Sequence, residues 1–251
     1  MHLILTGATG LVGSSVLDAM LKNTSISKIS ILSRRAVPMA EDAKDPRVRV
    51  ITHRDFESYG PEVLDQLKGA EGCVWALGIS QSQVNADEYV KITKDYALAA
   101  ANAFSTLETT QPPFRFIYVS GEGATQDPGR FSPIFARVKG ETEKLLGELS
   151  EQNPRIRVDS MRPGFVDFAA HDSIKSYIPQ PGISQRILLS IAGPPVRAFY
   201  KQAQSPTEHL GGFLTEMAMG RMEGKYEGMG VFKLGGSWIV ENKGMRRILG
   251  L

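Results

Sequence analysis

The chain has 251 residues, 42% of them hydrophobic and 22% charged, a globular balance that excludes the disordered and fibrous classes. With 29 basic and 27 acidic residues the net charge is only +2, so nothing in the overall charge calls for nucleic acid or an anionic membrane as partner. The single cysteine, Cys73, excludes an intramolecular disulfide and a multi-cysteine zinc site; no metal is expected, and the thiol reads as a small core residue in an apolar run.

The first residues, His2-Leu3-Ile4-Leu5, already read as a strand with no basic and apolar leader before them, so the expectation is a soluble, cytoplasmic protein. Strands are expected at His2–Thr6, Lys28–Leu32, Val48–Thr52, Gly72–Leu77, Arg115–Ser120 and Arg157–Met161. All are short and rich in Val, Ile and Leu, as strands covered on both faces should be. Helical spacing separates them: Val12, Val16, Leu17, Met20 and Leu21 within Leu11–Lys22; Tyr89, Ile92, Tyr96, Ala99, Ala100 and Ala103 within Ala86–Phe104; Ile134, Phe135, Val138, Leu145, Leu146 and Leu149 within Ile134–Leu149. This alternation predicts an α/β fold, a doubly wound parallel sheet of the Rossmann type with right-handed crossovers. It forms one domain over residues 1–251, with residues 164–251 as a small substrate-facing C-terminal elaboration. There, Pro163-Gly164, Pro181-Gly182 and Gly193-Pro194-Pro195 punctuate the chain. Two helices are expected in it: Ser184–Ile191, and one opening on Ser205-Pro206-Thr207-Glu208 as a capping box. The longest candidate membrane stretch, Ile187–Ala192, is far too short to span.

The first turn carries the chemistry. Gly7, Thr9, Gly10, Leu11, Val12 and Gly13 lie between a strand and an amphipathic helix. Glycines there let backbone approach a pyrophosphate, and the helix N-terminus aims N–H groups at the anion. At the end of the second strand a carboxylate would mark NAD. This sequence has Ser33, Arg34 and Arg35, whose guanidinium groups suit a 2′-phosphate, so the expected cofactor is NADP(H). Asp55 and Phe56 read equally well as adenine contacts or as a helix cap with a core aromatic. Ala76, Leu77 and Gly78 form a small-residue turn that could pass beneath the cofactor.

Together with Tyr89–Ala97, Tyr118–Ala124, Val138-Lys139-Gly140-Glu141 and Arg162-Pro163-Gly164, these motifs resemble the short-chain dehydrogenase/reductase superfamily. The resemblance is closest to the atypical branch of Tat-interacting oxidoreductase-like proteins and their fungal relatives, and it covers residues 1 to about 166. It implies that Ser120 polarises a substrate carbonyl, that Lys139 holds the nicotinamide ribose, and that Pro163, Gly164, Phe165 and Val166 border the nicotinamide. Where the superfamily has a proton-donating tyrosine four residues before the lysine, this chain has Phe135, on the same helix face as Lys139. Three explanations stand open. Another acid substitutes, with Tyr177 first and His171, Glu122 and Asp127 behind it. Or the acceptor, a quinone or conjugated alkene, needs little proton donation. Or redox chemistry has been given up.

Phe168, Tyr177, Ile178, Ile183, Ile187, Phe199, Tyr200, Phe213 and Met217 read as lining for a hydrophobic small molecule or as core. The leading expectation is an NADP(H)-dependent oxidoreductase acting on a hydrophobic carbonyl or conjugated substrate, with the fungal likeness pointing to secondary metabolism. The rivals are an isomerase or cyclase that keeps NADP(H), and a cofactor-sensing binding protein. No nucleic-acid partner is expected. Lys243, Arg246 and Arg247 read as a solvated basic tail. A peripheral membrane contact through Ser184–Tyr200 and a homo-oligomer are left open.

Overall fold

The computed structural model describes residues 1–110, 112–178 and 201–251. Strands β1 (His2–Thr6), β2 (Lys28–Ser33), β3 (Val48–Thr52), β4 (Gly72–Trp75), β5 (Phe114–Val119) and β6 (Ile156–Arg162) follow the expected runs to within two residues at each end. They pair in parallel in the order β3-β2-β1-β4-β5-β6, so the chain reverses its direction of winding between β1 and β4. That reversal opens a crevice at the carboxyl ends of the strands, where doubly wound proteins bind ligands.

Side chains alternate across the sheet and feed two cores. Leu3 and Leu5 face α1 (Leu11–Lys22) and join Val16, Leu17 and Met20. Ile4 faces the other side with Trp75, Phe104, Phe116 and Leu146. Cys73 is fully buried in this second core, where removal from water pushes its thiol well up; it is a core residue, as its apolar run implied.

Two short helices were not anticipated, α2 (Pro38–Ala43) and α3 (Pro61–Leu67); each opens with a proline in its first turn, where no N–H is missed. The long pattern at 86–104 is continuous but uneven: α4 (Ala86–Val90), a π-turn at Lys91–Asp95, then α5 (Tyr96–Phe104). Asn85 caps α4, its side chain accepting from the Glu88 N–H at 2.9 Å. Helix α6 (Ile134–Gln152) runs one turn past its expected end.

The C-terminal part departs most from expectation. A separate parallel pair, β7 (Phe165–Asp167) and β8 (Gln204–Pro206), precedes α7 (Thr207–Ala218). The expected capping box does not form. Pairing with β7 holds Ser205 extended, and its hydroxyl bonds Gly164 and Asn242 instead of the helix, so Pro206 takes the cap position. Next come β9 (Val231–Leu234), β10 (Ser237–Glu241) and α8 (Asn242–Leu249). Strand β10 adds to β6 in parallel and β9 closes the edge antiparallel, giving the main sheet eight strands among the described residues. The helix expected at Ser184–Ile191 lies outside the described residues, as do Ile183, Ile187, Phe199 and Tyr200. No helix among the described residues is long and apolar enough to cross a membrane.

Candidate active site

The turn between β1 and α1 is built by exclusion of side chains. Gly7 adopts φ +70, and a Cβ on it would lie 2.2 Å from the Ala76 carbonyl oxygen. A Cβ on Gly13 would lie 2.0 Å from the Gly7 carbonyl oxygen. Both contacts are with backbone and cannot relax by a rotamer change, so only glycine lets β1, β4 and α1 converge here. No side chain caps the α1 N-terminus, which leaves the N–H groups and partial positive charge of its first turn for a ligand.

Two cavities meet over this turn. The larger, 780 Å³, lies toward β5 and β6 and is lined by Gly10, Leu11, Val12, Ser120, Lys139 and the Pro163–Val166 stretch, among others. The second, 460 Å³, lies toward β2 and is lined by Thr9, Ser33, Arg34, Arg35 and Phe56. They share Gly10, Ala76, Leu77, Gly78, Ile79 and Gln83, so one groove crosses the sheet at its switch point. The donor set fits a dinucleotide: helix N–H groups at the middle, guanidinium groups at one end, a hydroxyl and an ammonium at the other.

At the β2 end Arg35 donates to Thr9 Oγ1 at 3.0 Å, and the Ser33 hydroxyl closes a turn on the Arg35 main chain. Arg34 and Arg35 are exposed. Phe56 is only 1% exposed and stacks among His53, Trp75 and Tyr96, so it forms the cavity floor and has no free ring face for a base. Asp55 closes its own turn, accepting from the Glu57 N–H and the Ser58 hydroxyl; the latter bond holds its carboxyl below the usual range. Asp55 is not the helix cap it was read as, since α3 begins at Pro61 behind Gly60, whereas Phe56 is the core aromatic and also lines the cavity.

At the other end Ser120 is 3% exposed, and its hydroxyl has no protein partner although it lines the larger cavity. A buried hydroxyl without a bond is costly unless a ligand completes it. Lys139 reaches the same place from α6, donating to the carbonyls of Val119 at 3.2 Å and Ser120 at 2.6 Å. Burial pushes its ammonium down to about 8, against the opposing charge of Glu143. Beneath it lies the ring of Tyr118, whose hydroxyl donates to the Thr93 carbonyl within the π-turn. Phe135 sits one turn before Lys139, its ring against Gly123 and its N–H bonded to the Gln81 side chain.

Arg162 anchors this end. Its Nε and one terminal nitrogen grip Glu143 at 2.9 and 2.6 Å, with Glu143 fully buried, and Gln126 bonds both partners. The motif arginine is therefore structural. It ties the end of β6, where Pro163-Gly164 begins, to the helix that carries Lys139.

The structure separates several expected residues from this site. Tyr177 is the main correction. Its hydroxyl donates to Asp42 at 2.9 Å, and its ring lines a different cavity, behind the phosphate turn, with Ala8, Arg35 and Met39. It does not line the Ser120 and Lys139 cavity, because the segment after β7 folds back against α2. His171 is buried between Asp18 and Thr207, joining α1 to α7. Asp127 is exposed and outside the lining, while Glu122 does line the cavity. Phe213 and Met217 are core. Arg246 and Arg247 are not a free tail; they bond the carbonyls of Gln204, Met229 and Glu227.

Sequence reasoning missed Ile79, Ser80, Gln83, Thr93, Tyr118, Gln202, Ala203, Asn242 and Lys243 in the lining. A signal existed for the last two. Gly235-Gly236 between Leu234 and Ser237 is a two-residue hairpin turn, and a hairpin added to β6 delivers the start of α8 to the carboxyl edge. Among the described residues no cluster of metal-binding side chains occurs.

No family model matches. The chain is 44% identical over 156 residues to botcinic acid biosynthesis cluster B protein 16 of Botryotinia fuckeliana, covering 62% of this chain and 99% of the relative. It is 37% identical to leucinostatins biosynthesis cluster protein T of Purpureocillium lilacinum, over 71% of this chain and 70% of the relative. To the HTATIP2 protein of Rattus norvegicus it is 26% identical, over 63% of this chain and 60% of that one. Among solved structures, the RhlG/NADP active-site complex of Pseudomonas aeruginosa superposes with a TM-score of 0.67 at 12% identity, covering 97% and 94% of the two chains. A short-chain dehydrogenase/reductase of Brucella melitensis gives 0.64 at 16% identity, covering 97% and 95%. The chain thus belongs to one family with these two fungal biosynthesis-cluster proteins, and it shares the fold of the short-chain dehydrogenases/reductases.

Proposed function

We propose that the protein is an NADP(H)-dependent reductase of a hydrophobic carbonyl or conjugated small molecule. The observation that carries this is the unpartnered Ser120 hydroxyl beside the Lys139 ammonium, in a cavity continuous with the phosphate turn. The names of two fungal relatives, both biosynthesis-cluster proteins, support a biosynthetic substrate. Ser33, Arg34 and Arg35 in the adjoining cavity favour the 2′-phosphate of NADP(H), since no carboxylate lines that end.

The cofactor, when bound, supplies or accepts a hydride. The chain's own residues do the rest. Leu11 and Val12 bring helix N–H groups to the pyrophosphate, Arg34 and Arg35 bind the 2′-phosphate, and Pro163–Val166 bound the nicotinamide edge. Ser120 Oγ donates a hydrogen bond to the substrate oxygen, polarising its carbonyl, and the apolar walls at Leu77, Ile79 and Phe165 exclude water.

Phe135 supports a second reading, an isomerase or cyclase that keeps the cofactor without turning it over. One experiment separates them: NADPH oxidation over a panel of hydrophobic ketones, quinones and enones, native protein against Phe135→Tyr. Turnover by the native protein is expected. A silent native protein beside an active tyrosine variant would give the site to the non-redox reading.

A further inference from the structure

We infer that Lys139 is itself the proton donor of this site, delivering its proton to the substrate oxygen held by Ser120. The inference rests on the reductase reading and supplies the acid that Phe135 cannot.

The geometry points to Lys139 by position and by elimination. An ammonium carries three N–H bonds. The carbonyls of Val119 and Ser120 take two, and the group lines the cavity beside the unpartnered Ser120 hydroxyl. No phenol intervenes, because Phe135 occupies the same helix face one turn earlier. Among the described residues every other candidate acid is engaged or misplaced. Tyr177 is bonded to Asp42, and His171 to Asp18 and Thr207. The Tyr118 hydroxyl is given to Thr93, and burial pushes its pKa far up, so that it holds its proton. Lys243 pairs with Glu241 at 2.9 Å, which makes it hold its proton more tightly. Glu122 stands exposed at the rim, open to solvent and away from the buried end that Ser120 and Lys139 share.

The groups around Lys139 set its acidity. Glu143 follows it on α6 but is engaged by Arg162 from β6; the Tyr118 ring lies below on β5; Lys94 from the π-turn is paired with Glu141; and Glu122 follows β5. Desolvation outweighs the Glu143 charge and leaves the ammonium at about 8. An acid with a value near the working pH is both loaded and willing to release its proton.

The step balances. As the carbonyl carbon takes a hydride from a dihydronicotinamide, the C=O π pair moves to oxygen. A Lys139 N–H bond breaks and its proton forms the new O–H bond. The neutral amine then regains a proton from water.

The test uses the full chain with Lys139→Arg, Lys139→Met and Lys139→Met/Phe135→Tyr. The first readout needs no turnover: acylation of Lys139 by acetic anhydride across pH, followed by peptide mass spectrometry. A reactivity midpoint near pH 8 is expected; the ordinary lysine value of about 10.4 overturns the inference. The second is kcat/KM for NADPH-dependent ketone reduction, expected to fall about tenfold per pH unit above 8. Arginine keeps the charge but holds its proton, and the NADPH affinity of Lys139→Arg, titrated beside its rate, tells a lost ribose contact from a lost acid. At saturating NADPH the variant should lose about a hundredfold or more in reduction. Adding tyrosine at 135 to Lys139→Met should restore part of that loss. A Lys139→Arg variant with native rate and native pH profile ends the inference alone; a native protein silent toward every acceptor ends the reductase reading and the inference together.

Discussion

Replacing Arg162 by methionine isolates the ion pair that holds the Lys139-bearing helix to the sheet. The arginine meets Glu143 through two bonds of 2.9 and 2.6 Å, and the exposures are 7% and 0%. Methionine matches much of the arginine stem and keeps contact with the Phe232 ring, over which the guanidinium now sits at 5.3 Å. What remains is a fully buried carboxylate compensated by the Gln126 amide at 2.6 Å and by the charge of Lys139 one turn away. Breaking one side of a buried pair costs about 3–5 kcal/mol. In a domain of this size each kcal/mol is about 2–4 °C of Tm, so the variant should melt about 10 °C lower. Removing both charges, in Arg162→Met/Glu143→Leu, eliminates the stranded carboxylate and should recover most of that loss. Thermal unfolding followed by circular dichroism, with urea titration as a second measure, reads both variants. A loss below about 1 kcal/mol in the single variant, or a double variant no better than the single, would refute the reasoning; the pair would then be solvated in solution.

Two further outcomes follow from the groove. Replacing Arg34 and Arg35 together by alanine should weaken NADPH by about ten- to a hundredfold, the worth of one or two charge-assisted bonds, and NADH far less. Equal losses measured by fluorescence titration would sink the NADP assignment. Gly13→Ala puts a methyl group where the Gly7 carbonyl oxygen stands 2.0 Å away, so the phosphate turn must open. Cofactor affinity should fall by about tenfold or more, with a stability loss of about 1–3 kcal/mol, and an unchanged dissociation constant would show that the turn is not the pyrophosphate site.

The sheet was legible wherever local pattern and burial agree. Leu3, Ile4 and Leu5 can only be a strand covered on both faces, and the glycines that follow can only be a close approach. Those signals are short-range and read directly. The β2 end of the groove was half legible: Arg34 and Arg35 fall where strand-end logic puts them, but the burial of Phe56 depends on His53, Trp75 and Tyr96, which are brought together only by folding. Tyr177 failed for the same reason. Its place is set by a bond to Asp42, 135 residues away, which no periodicity encodes. The capping box at Ser205 failed because strand pairing with β7 outcompeted a local helix signal. The C-terminal hairpin was readable from Gly235-Gly236, yet its four- and five-residue strands gave too few alternations to stand out beside the longer runs.

The addition of β10 to β6 also sets an order of assembly. Everything that makes the phosphate turn and the Ser120 and Lys139 floor lies before Val166, although β1 and β4 pair across 69 residues (Leu3 with Gly72). The wall formed by Asn242 and Lys243 instead waits for β10, which lies 79 residues beyond its partner in β6 (Ser160 with Ile239) and is made last. During synthesis the dinucleotide half can therefore be complete while the substrate half still lacks a side. A cofactor present at that moment would bind the early half and stabilise it by mass action, acting as a template on which the last strand docks.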